Sequence, residues 1–455
     1  MAKEEKQSAE VKKTDQKQSA TWHRLKDSVH RKLLTVLDLH EARQVPIEQL
    51  RRECSSKIDA LLGEEGYPLT APEKDHLLYE VMNEVFGFGP LEQFMADSEI
   101  SDILVNGPFQ IYIEKHGRLE KTDATFSNNE HLIRVITRIG TNVGRRIDES
   151  SPMLDARLPD GSRVNAIIPP LSLDGPMLSI RRFGAEHINI NKLIKLNSLT
   201  KEMAFFLDAC VRCKMNILIS GGTGTGKTTM LNALSRWIPA GERVVTIEDA
   251  AELKLQREHV IRLETRPPNI EGKGLVNQRD LLRNSLRMRP DRIIIGEVRG
   301  EETLDMLQAM NTGHEGSMTT VHANSPRDAL RRLENMVSMA GINYPVHAMR
   351  EQISSALDVL IHLDRITGGQ RKVTNIVEIT GTEGDVICLH DIFRFKQEGI
   401  DADGNAYGHF ETCGVRPILV NRLKAEGIEI PPILFQRRVL DDADKQSPET
   451  KTHKQ

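Results

Sequence analysis

The segment Asn216-Ile-Leu-Ile-Ser-Gly-Gly-Thr-Gly-Thr-Gly-Lys-Thr-Thr229 joins a short apolar run to a glycine-rich loop, and that loop to the start of a helical pattern. Glycines let successive backbone N–H groups turn inward around a phosphate, and the following helix directs its positive end to the same place. Strand, loop and helix stand in the order of a phosphate-binding loop. A chance glycine-rich turn is the alternative, and the flanking strand and helix argue against it.

The loop and the start of the helix supply the predicted nucleotide contacts. Lys227 is expected to meet the β and γ phosphates, and the Thr228 hydroxyl to bind Mg²⁺ directly. ATP and Mg²⁺ are therefore the predicted ligands. The predicted ATP-binding residues are Gly221, Gly222, Thr223, Gly224, Thr225, Gly226, Lys227, Thr228 and Thr229.

Acidic residues follow two of the apolar runs that resemble buried strands. Glu297 comes after Ile-Ile-Ile-Gly, and Glu248 and Asp249 come after Val-Val-Thr-Ile. Carboxylates at strand ends beside the loop are placed to hold metal-bound water and to orient the attacking water, although acids there are also common helix caps. The second phosphate-binding motif of P-loop proteins usually has an aspartate where this chain has Gly296. Glu297 is therefore expected to contact Mg²⁺ through water.

Histidines and arginines give weaker indications of a catalytic or phosphate-binding role. His314 and His322 flank a predicted strand, but a single histidine is more often structural than catalytic, and no third ligand completes a zinc site. Arg157 and Arg163 lie in an arginine-rich segment whose default interpretation is solvated surface charge. The alternative is neutralisation of phosphate charge.

Composition bounds the remaining possibilities. The 455 residues carry a formal net charge of −4, with 39% hydrophobic and 28% charged residues. A chain of this length is expected to form two or three domains. Its net negative charge provides no overall positive field that would attract nucleic acid or an anionic membrane. No signal peptide or membrane span is apparent in the sequence, so we expect a cytoplasmic protein that does not bind nucleic acid.

Hydrophobic periodicity changes along the chain. Helical spacing dominates before residue 90, short alternating runs with a helix follow to about residue 183, and buried-strand runs alternate with helices beyond residue 198. The last pattern predicts an α/β fold with a doubly wound, largely parallel sheet.

Four segments of the chain together resemble the secretion ATPases of type II secretion, type IV pili and type IV secretion. They are similar, in order, to the Walker A box, the Asp box, the atypical Walker B box and the His box of that family. These segments are Gly221–Thr228, Thr246–Asp249, Gly296–Arg299 and Gly313–His322.

Within that family the chain looks most similar to the tight-adherence (Flp) pilus ATPases. Three further motifs carry this similarity, at 88–92, 100–107 and 154–161, and the resemblance extends from about residue 70 to about residue 425.

The resemblance implies a RecA-like P-loop core preceded by a smaller α+β domain and an N-terminal helical domain. The predicted domains are a disordered tail (1–20), a helical domain (21–90), an α+β, PAS-like domain (91–183), a linker (184–198), a RecA-like ATPase domain (199–425) and a C-terminal tail (426–455).

The resemblance also implies a function. The family forms homohexameric motors in the cytoplasm that dock on an inner-membrane platform protein and couple ATP hydrolysis to pilus assembly, pilus retraction or protein secretion. Nucleotide is expected between the α+β and ATPase domains. The implied catalytic residues are Glu248 as the base that activates water, Glu297, both His-box histidines (His314 and His322), and two arginines that reach the nucleotide in cis or in trans (Arg157 and Arg163).

Three other functions are alternatives to a motor ATPase. A switch GTPase needs an Asn-Lys-x-Asp motif after the loop, whereas Asn191-Lys192 lies before it and lacks the aspartate. A nucleic-acid translocase would use the arginine-rich stretch 327–334, but the acidic balance and the lack of a base-stacking aromatic patch count against it. A scaffold that binds nucleotide without hydrolysis would not need the complete set of boxes.

Overall fold

The computed structural model describes residues 22, 25–26, 28–29, 32–33, 47–65, 68–115, 118–182, 188–266, 268, 273–341, 344–402 and 404–440. They belong to two compact units, residues 1–185 and 186–455. Within these ranges no helix is both long enough and apolar enough to cross a membrane. The predicted tail at 1–20 lies outside the described residues.

The N-terminal unit begins with helices whose apolar faces pack together. Helix α1 spans Ile47–Glu65 and α2 spans Ala71–Val85. A capping box starts α2, in which the Glu73 carboxylate accepts a hydrogen bond of 2.7 Å from the backbone N–H of Thr70. The buried members of this helical core include Leu25, Val29, Leu33, Leu50, Cys54, Ile58, Leu77 and Val81.

The rest of this unit consists of a sheet and the elements around it. They are a 3₁₀ turn at Gly89–Leu91, α3 (Glu92–Ala96), β1 (Ile100–Asn106), β2 (Ile111–Lys115), β3 (Arg118–Lys121), α4 (Asn129–Asn142), β4 (Met153–Arg157), β5 (Arg163–Ile167) and β6 (Met177–Arg181). The six strands form an antiparallel sheet in the order β3-β2-β1-β6-β5-β4. Helix α4 contributes its buried apolar residues to the same core as the strands.

A buried ion pair links α2 to α4. Glu84 Oε2 lies 2.7 Å from His131 Nε2, and Lys26 Nζ lies 3.3 Å from the other carboxylate oxygen. Burial would raise the pKa of Glu84, but the hydrogen bond and charge of His131, with the Lys26 ammonium, outweigh it and hold that pKa at about 2. The carboxylate is therefore ionised at neutral pH.

The C-terminal unit alternates strands and helices around one large sheet. Its helices are α5 (Ile190–Lys195), α6 (Lys201–Arg212), α7 (Lys227–Ser235), α8 (Gln278–Ser285), α9 (Glu302–Asn311), α10 (Pro326–Met339), α11 (Val346–Ala356) and α12 (Val420–Ala425). Its strands are β7 (Ile217–Gly221), β8 (Val244–Glu248), β9 (Val260–Glu264), β10 (Arg292–Ile295), β11 (Met318–His322), β12 (Val359–Arg365), β13 (Arg371–Glu383), β14 (Val386–Ile400), β15 (Ala406–Thr412) and β16 (Arg438–Leu440).

The ten strands follow the order β16-β15-β14-β13-β12-β7-β11-β10-β8-β9. Strands from β12 to β9 are mutually parallel, and β13 to β16 extend the sheet in antiparallel fashion. Strand β7 is buried on both faces: Ile217 and Ile219 pack into one hydrophobic cluster and Leu218 into the other. The predicted α/β fold with a RecA-like P-loop core is confirmed.

Two predicted boundaries differ from the structure. The stretch 184–198 is predicted to be a linker, whereas it contains helix α5. Asn189 caps this helix by accepting a hydrogen bond from Lys192 N, and the helix buries Leu193. Residues after 425 were predicted as a tail, whereas β16 pairs with β15 and the segment before it contributes Leu434 and Phe435 to the core. Burial of these apolar side chains stabilises both segments. The polar residues around them are the reason why the sequence predicts a linker and a tail.

Candidate active site

The glycine-rich loop runs between the end of β7 and the start of α7. Three glycines of the loop have positive φ values that other residues rarely adopt: 154° at Gly221, 72° at Gly224 and 98° at Gly226. A Cβ on Gly221 would also collide with the backbone carbonyl of Leu363 on β12. The conformation that presents the loop's N–H groups therefore depends on glycine at these positions.

Lys227 begins α7 and lies folded against the loop. Its Nζ donates hydrogen bonds to the carbonyls of Gly221 (3.1 Å) and Gly222 (2.8 Å), and it lies 3.3 Å and 3.4 Å from the two ring nitrogens of His322. Burial lowers the pKa of Lys227, and the Glu297 carboxylate offsets this only in part. An anion at the loop would stabilise this partly desolvated ammonium.

Strand register brings His322 to the loop, because β11 pairs with β7 so that His322 faces Gly221. Its Nε2 lies 3.2 Å from Glu297 Oε1. Burial, followed by the Lys227 charge, lowers the pKa of His322, so the ring is neutral at pH 7. A neutral ring that donates from Nε2 to the Glu297 carboxylate keeps Nδ1 as an acceptor, 3.4 Å from Lys227 Nζ.

Glu297 continues the network beyond His322. Its Oε2 accepts a hydrogen bond of 2.9 Å from Arg299 Nη2, and Arg299 Nη1 lies 3.8 Å from Asp249 Oδ2. Lys227, His322, Glu297, Arg299 and Asp249 thus form one chain of polar contacts at the carboxyl ends of the parallel strands. This edge is where open α/β sheets bind their ligands.

Glu248 ends β8 and is 3% exposed. Its Oε2 accepts hydrogen bonds from the backbone N–H groups of Glu252 (2.6 Å) and Leu253 (2.8 Å), while its Oε1 has no hydrogen-bond partner among the described residues. Burial raises the pKa of Glu248 to about 7 in spite of the two N–H donors. A carboxyl with a pKa near 7 is suited to accept and release a proton at neutral pH.

Gly296 lies against the Glu248 side chain. A Cβ at Gly296 would lie 3.0 Å from Cγ of Glu248. A larger residue at this position would require the Glu248 side chain to shift, so glycine here leaves that side chain undisturbed.

The raised pKa of Glu248 makes stability depend on pH. The folded protein binds this proton more tightly than the unfolded chain, so the contribution is complete below pH 4.5 and is lost as pH rises through about 7. Between pH 4.5 and 8 this loss amounts to roughly 3 kcal/mol. Glu248→Gln keeps an oxygen for both N–H donors and does not ionise, so denaturant unfolding should show the loss in the wild type and not in this variant.

Glu258, an exposed acid in the same segment, provides the control. Glu258→Gln should unfold with the pH dependence of the wild type. If Glu248→Gln and the wild type lose the same free energy of unfolding between pH 5 and pH 8, burial of an ionisable Glu248 is ruled out as the source of that pH dependence.

The donor set at this edge suits Mg²⁺ in chemistry. Thr228, in the first turn of α7, offers a hydroxyl and Glu297 a carboxylate, and oxygen donors are those that Mg²⁺ prefers. No group of three or more His, Cys, Asp or Glu side chains in the described part of the chain could hold a metal. Magnesium here would depend on substrate phosphates for further ligands, as is usual for this ion.

The remaining predicted site residues lie elsewhere. His314 precedes β11 and so lies at its amino end, whereas His322 lies at its carboxyl end. The structure therefore does not bring His314 to the loop, although its Nδ1 is buried without a hydrogen-bond partner among the described residues. Arg157 and Arg163 belong to the N-terminal unit, where they face each other across β4 and β5.

Two residues at this edge were not predicted to have a role. Arg299 bridges Glu297 and Asp249, and its position at the end of the Walker B-like box could have suggested it. Arg371 donates a 2.8 Å hydrogen bond from Nε to the Gly224 carbonyl. It is far from the loop in sequence, so no local pattern indicates it.

Comparison with known proteins finds a matching family and several similar proteins. Residues 84–391 match the family described as Type II/IV secretion system protein. The putative conjugal transfer protein Rv3659c of Mycobacterium tuberculosis (strain ATCC 25618 / H37Rv) is 33% identical over 338 residues, which cover 70% of this chain and 96% of that protein. The type IV secretion system protein VirB11 of Bartonella quintana (strain Toulouse) is 29% identical over 325 residues, which cover 63% and 90%.

Solved structures of related proteins are similar at a lower level. The VirB11 ATPase from the Brucella suis type IV secretion system matches with 29% identity and a TM-score of 0.36, over 65% of this chain and 97% of that one. The pilus retraction motor PilT with bound ADP matches with 20% identity and a TM-score of 0.48, over 65% and 83%. The family match spans more than half of the chain and includes the loop and both strand-end acids. The chain belongs to the type II/IV secretion system protein family, as a P-loop ATPase.

Proposed function

We propose that this chain is the motor ATPase of a pilus or a protein-secretion machine. It works as a homohexamer in the cytoplasm, on an inner-membrane platform protein, and resembles the tight-adherence pilus ATPases in its motifs. The observation that carries the enzymatic part is the contact chain from Lys227 through His322 to Glu297, which joins the Walker A-like, His-box-like and Walker B-like segments at one sheet edge. The Walker A-like segment supplies the lysine and the Walker B-like segment the acid that phosphoryl transfer uses, and His322 lies between them.

In this proposal the protein groups act on ATP bound at the loop. Lys227 and the loop N–H groups neutralise the β and γ phosphates. Thr228 directly, and Glu297 through water, would hold Mg²⁺, which supplies charge neutralisation across those phosphates. Glu248, with its pKa near 7, accepts a proton from the attacking water, and neutral His322 orients the Glu297 carboxylate.

Arg157 and Arg163 are proposed to add positive charge to the nucleotide, from the same subunit or from a neighbour. In the N-terminal sheet Arg163 is directly opposite both Arg157 and Arg181. Residues in directly opposite positions share a face of the sheet, so these arginines are placed to form several charge-assisted hydrogen bonds with one polyphosphate. Arg157→Ala and Arg163→Ala should each lower ATP turnover with ATP binding largely kept, which steady-state phosphate release and equilibrium binding would check. Unchanged turnover in both variants would contradict this role.

The cellular function is tested by deleting the gene and restoring it in wild-type or Lys227→Ala form. Surface filaments and secreted proteins should be scored together, because loss of filaments alone favours pilus assembly and loss of secreted proteins favours secretion. If the Lys227→Ala form restores both, the proposed motor function is wrong. His314, which lies at the opposite edge of the sheet, would enter the mechanism only by way of a neighbouring subunit.

A further inference from the structure

The hairpin between β12 and β13 stands beside the phosphate-binding loop, on the side away from the catalytic acids. Arg371, the first residue of β13, donates a hydrogen bond of 2.8 Å from Nε to the carbonyl of Gly224. Its Cδ lies 3.6 Å from the position that a Cβ on Gly226 would take. The arginine side chain therefore lies across the loop between Gly224 and Gly226.

The order of strands decides which part of a nucleotide would meet this side chain. Glu297 and His322 follow or end β10 and β11, which lie to one side of β7, whereas β12 lies on its other side. The terminal phosphate has to face the acids that cleave it. The two phosphates nearer the nucleoside then extend along the loop toward β12 and its hairpin.

The hairpin holds Arg371 in place and concentrates positive charge there. Its turn is closed by a hydrogen bond from Ile366 N to Gln370 O (2.9 Å), and it is tied to β15 by one from Ala406 N to Thr367 O (2.9 Å). Arg365 and Arg371 are directly opposite each other in the β12–β13 ladder, and both are exposed. Residues in directly opposite positions share a face of the sheet, so both guanidinium groups are placed to form charge-assisted hydrogen bonds with one diphosphate.

We propose that Arg371 is a nucleotide-contacting residue that binds the diphosphate part of the nucleotide, the part that remains as ADP after hydrolysis. The inference rests on the proposed function, because it takes the loop to bind ATP. It assigns to the β12–β13 hairpin a role that the motifs of the loop, the strand-end acids and the N-terminal arginines do not include.

The test is equilibrium binding of ATP and ADP, with Mg²⁺, to the full-length protein and three variants. Arg371→Lys keeps the charge, and Arg371→Gln keeps a side-chain donor for the Gly224 carbonyl but no charge. Arg394→Gln is the control, because Arg394 lies on β14 and pairs with Glu411 away from the loop. Loss of one charge-assisted contact should weaken binding of ATP and ADP by the same factor, about tenfold or more, in Arg371→Gln. Arg371→Lys should bind nearly as the wild type, and Arg394→Gln should be unchanged.

Three results would overturn the inference. Unchanged binding in Arg371→Gln would remove the contact, and weakened ATP binding with unchanged ADP binding would place it on the terminal phosphate instead. Equal weakening in the Lys and Gln variants would assign Arg371 to positioning of the loop. These outcomes leave the proposed function intact, whereas a wild-type protein that binds neither nucleotide would overturn the proposed function and this inference together.

Discussion

Lys227→Ala should reduce ATP turnover by roughly 10²–10³-fold or more. Lys227 Nζ lies at the loop and donates hydrogen bonds to the carbonyls of Gly221 and Gly222, beside His322. Its loss removes the positive charge that stabilises the phosphates as charge develops in the transition state. Alanine is compatible with the start of α7, so the fold should be retained.

Steady-state phosphate release by the purified protein measures this effect, with circular dichroism to check the fold. Lys201→Ala provides the matched control, because Lys201 is an exposed lysine at the start of α6. The control should hydrolyse ATP at the wild-type rate. Wild-type turnover in Lys227→Ala would contradict the assignment of the loop as the ATP site.

Glu297→Gln should lower turnover by roughly 10²–10⁴-fold while ATP stays bound. Glutamine nearly preserves the shape of the side chain, and its oxygen can still accept a hydrogen bond from Arg299 or His322. It removes the negative charge that both of these residues contact and that offsets part of the desolvation of Lys227. Binding through the loop does not require that charge, so hydrolysis and binding should separate.

Retention of labelled ATP after rapid gel filtration, followed over time, distinguishes a trapped triphosphate from a hydrolysed one. Glu301→Gln is the control, since Glu301 is a nearby acid that pairs with Arg279 instead of the loop network. It should hydrolyse ATP as the wild type does. Hydrolysis by Glu297→Gln at the wild-type rate would exclude Glu297 from the reaction.

The loop and the core of the sheet could be predicted from the sequence because the residues that specify each element are close together in the chain. Strand, glycines, Lys227 and helix are consecutive, and hydrophobic runs of strand length alternate with helices through the parallel part of the sheet. Glu248 and Glu297 were found for the same reason, since each directly follows such a run.

The contacts among these groups could not be predicted, because they depend on strand register. His322 reaches Lys227 only because β11 pairs with β7 so that His322 faces Gly221. The same geometry leaves His314 at the far end of β11, although both histidines belong to one motif. Arg371 reaches Gly224 through the β12–β13 hairpin, which no pattern near the loop indicates.

Errors at the domain boundaries have a related cause. Helix α5 and strand β16 are short, and polar residues surround their few apolar side chains. Their stability comes from burial against a core formed by distant parts of the chain, which periodicity in a short window does not reveal.

The affinity of the purified protein for magnesium-ATP tests the central claim most directly, which is that the edge formed by the loop, Lys227 and Glu297 binds a nucleoside triphosphate. Wild type and Glu297→Gln should both bind magnesium-ATP saturably, and Lys227→Ala should bind it far more weakly. No measurable affinity in the wild type, or equal affinity in the wild type and Lys227→Ala, would contradict the account.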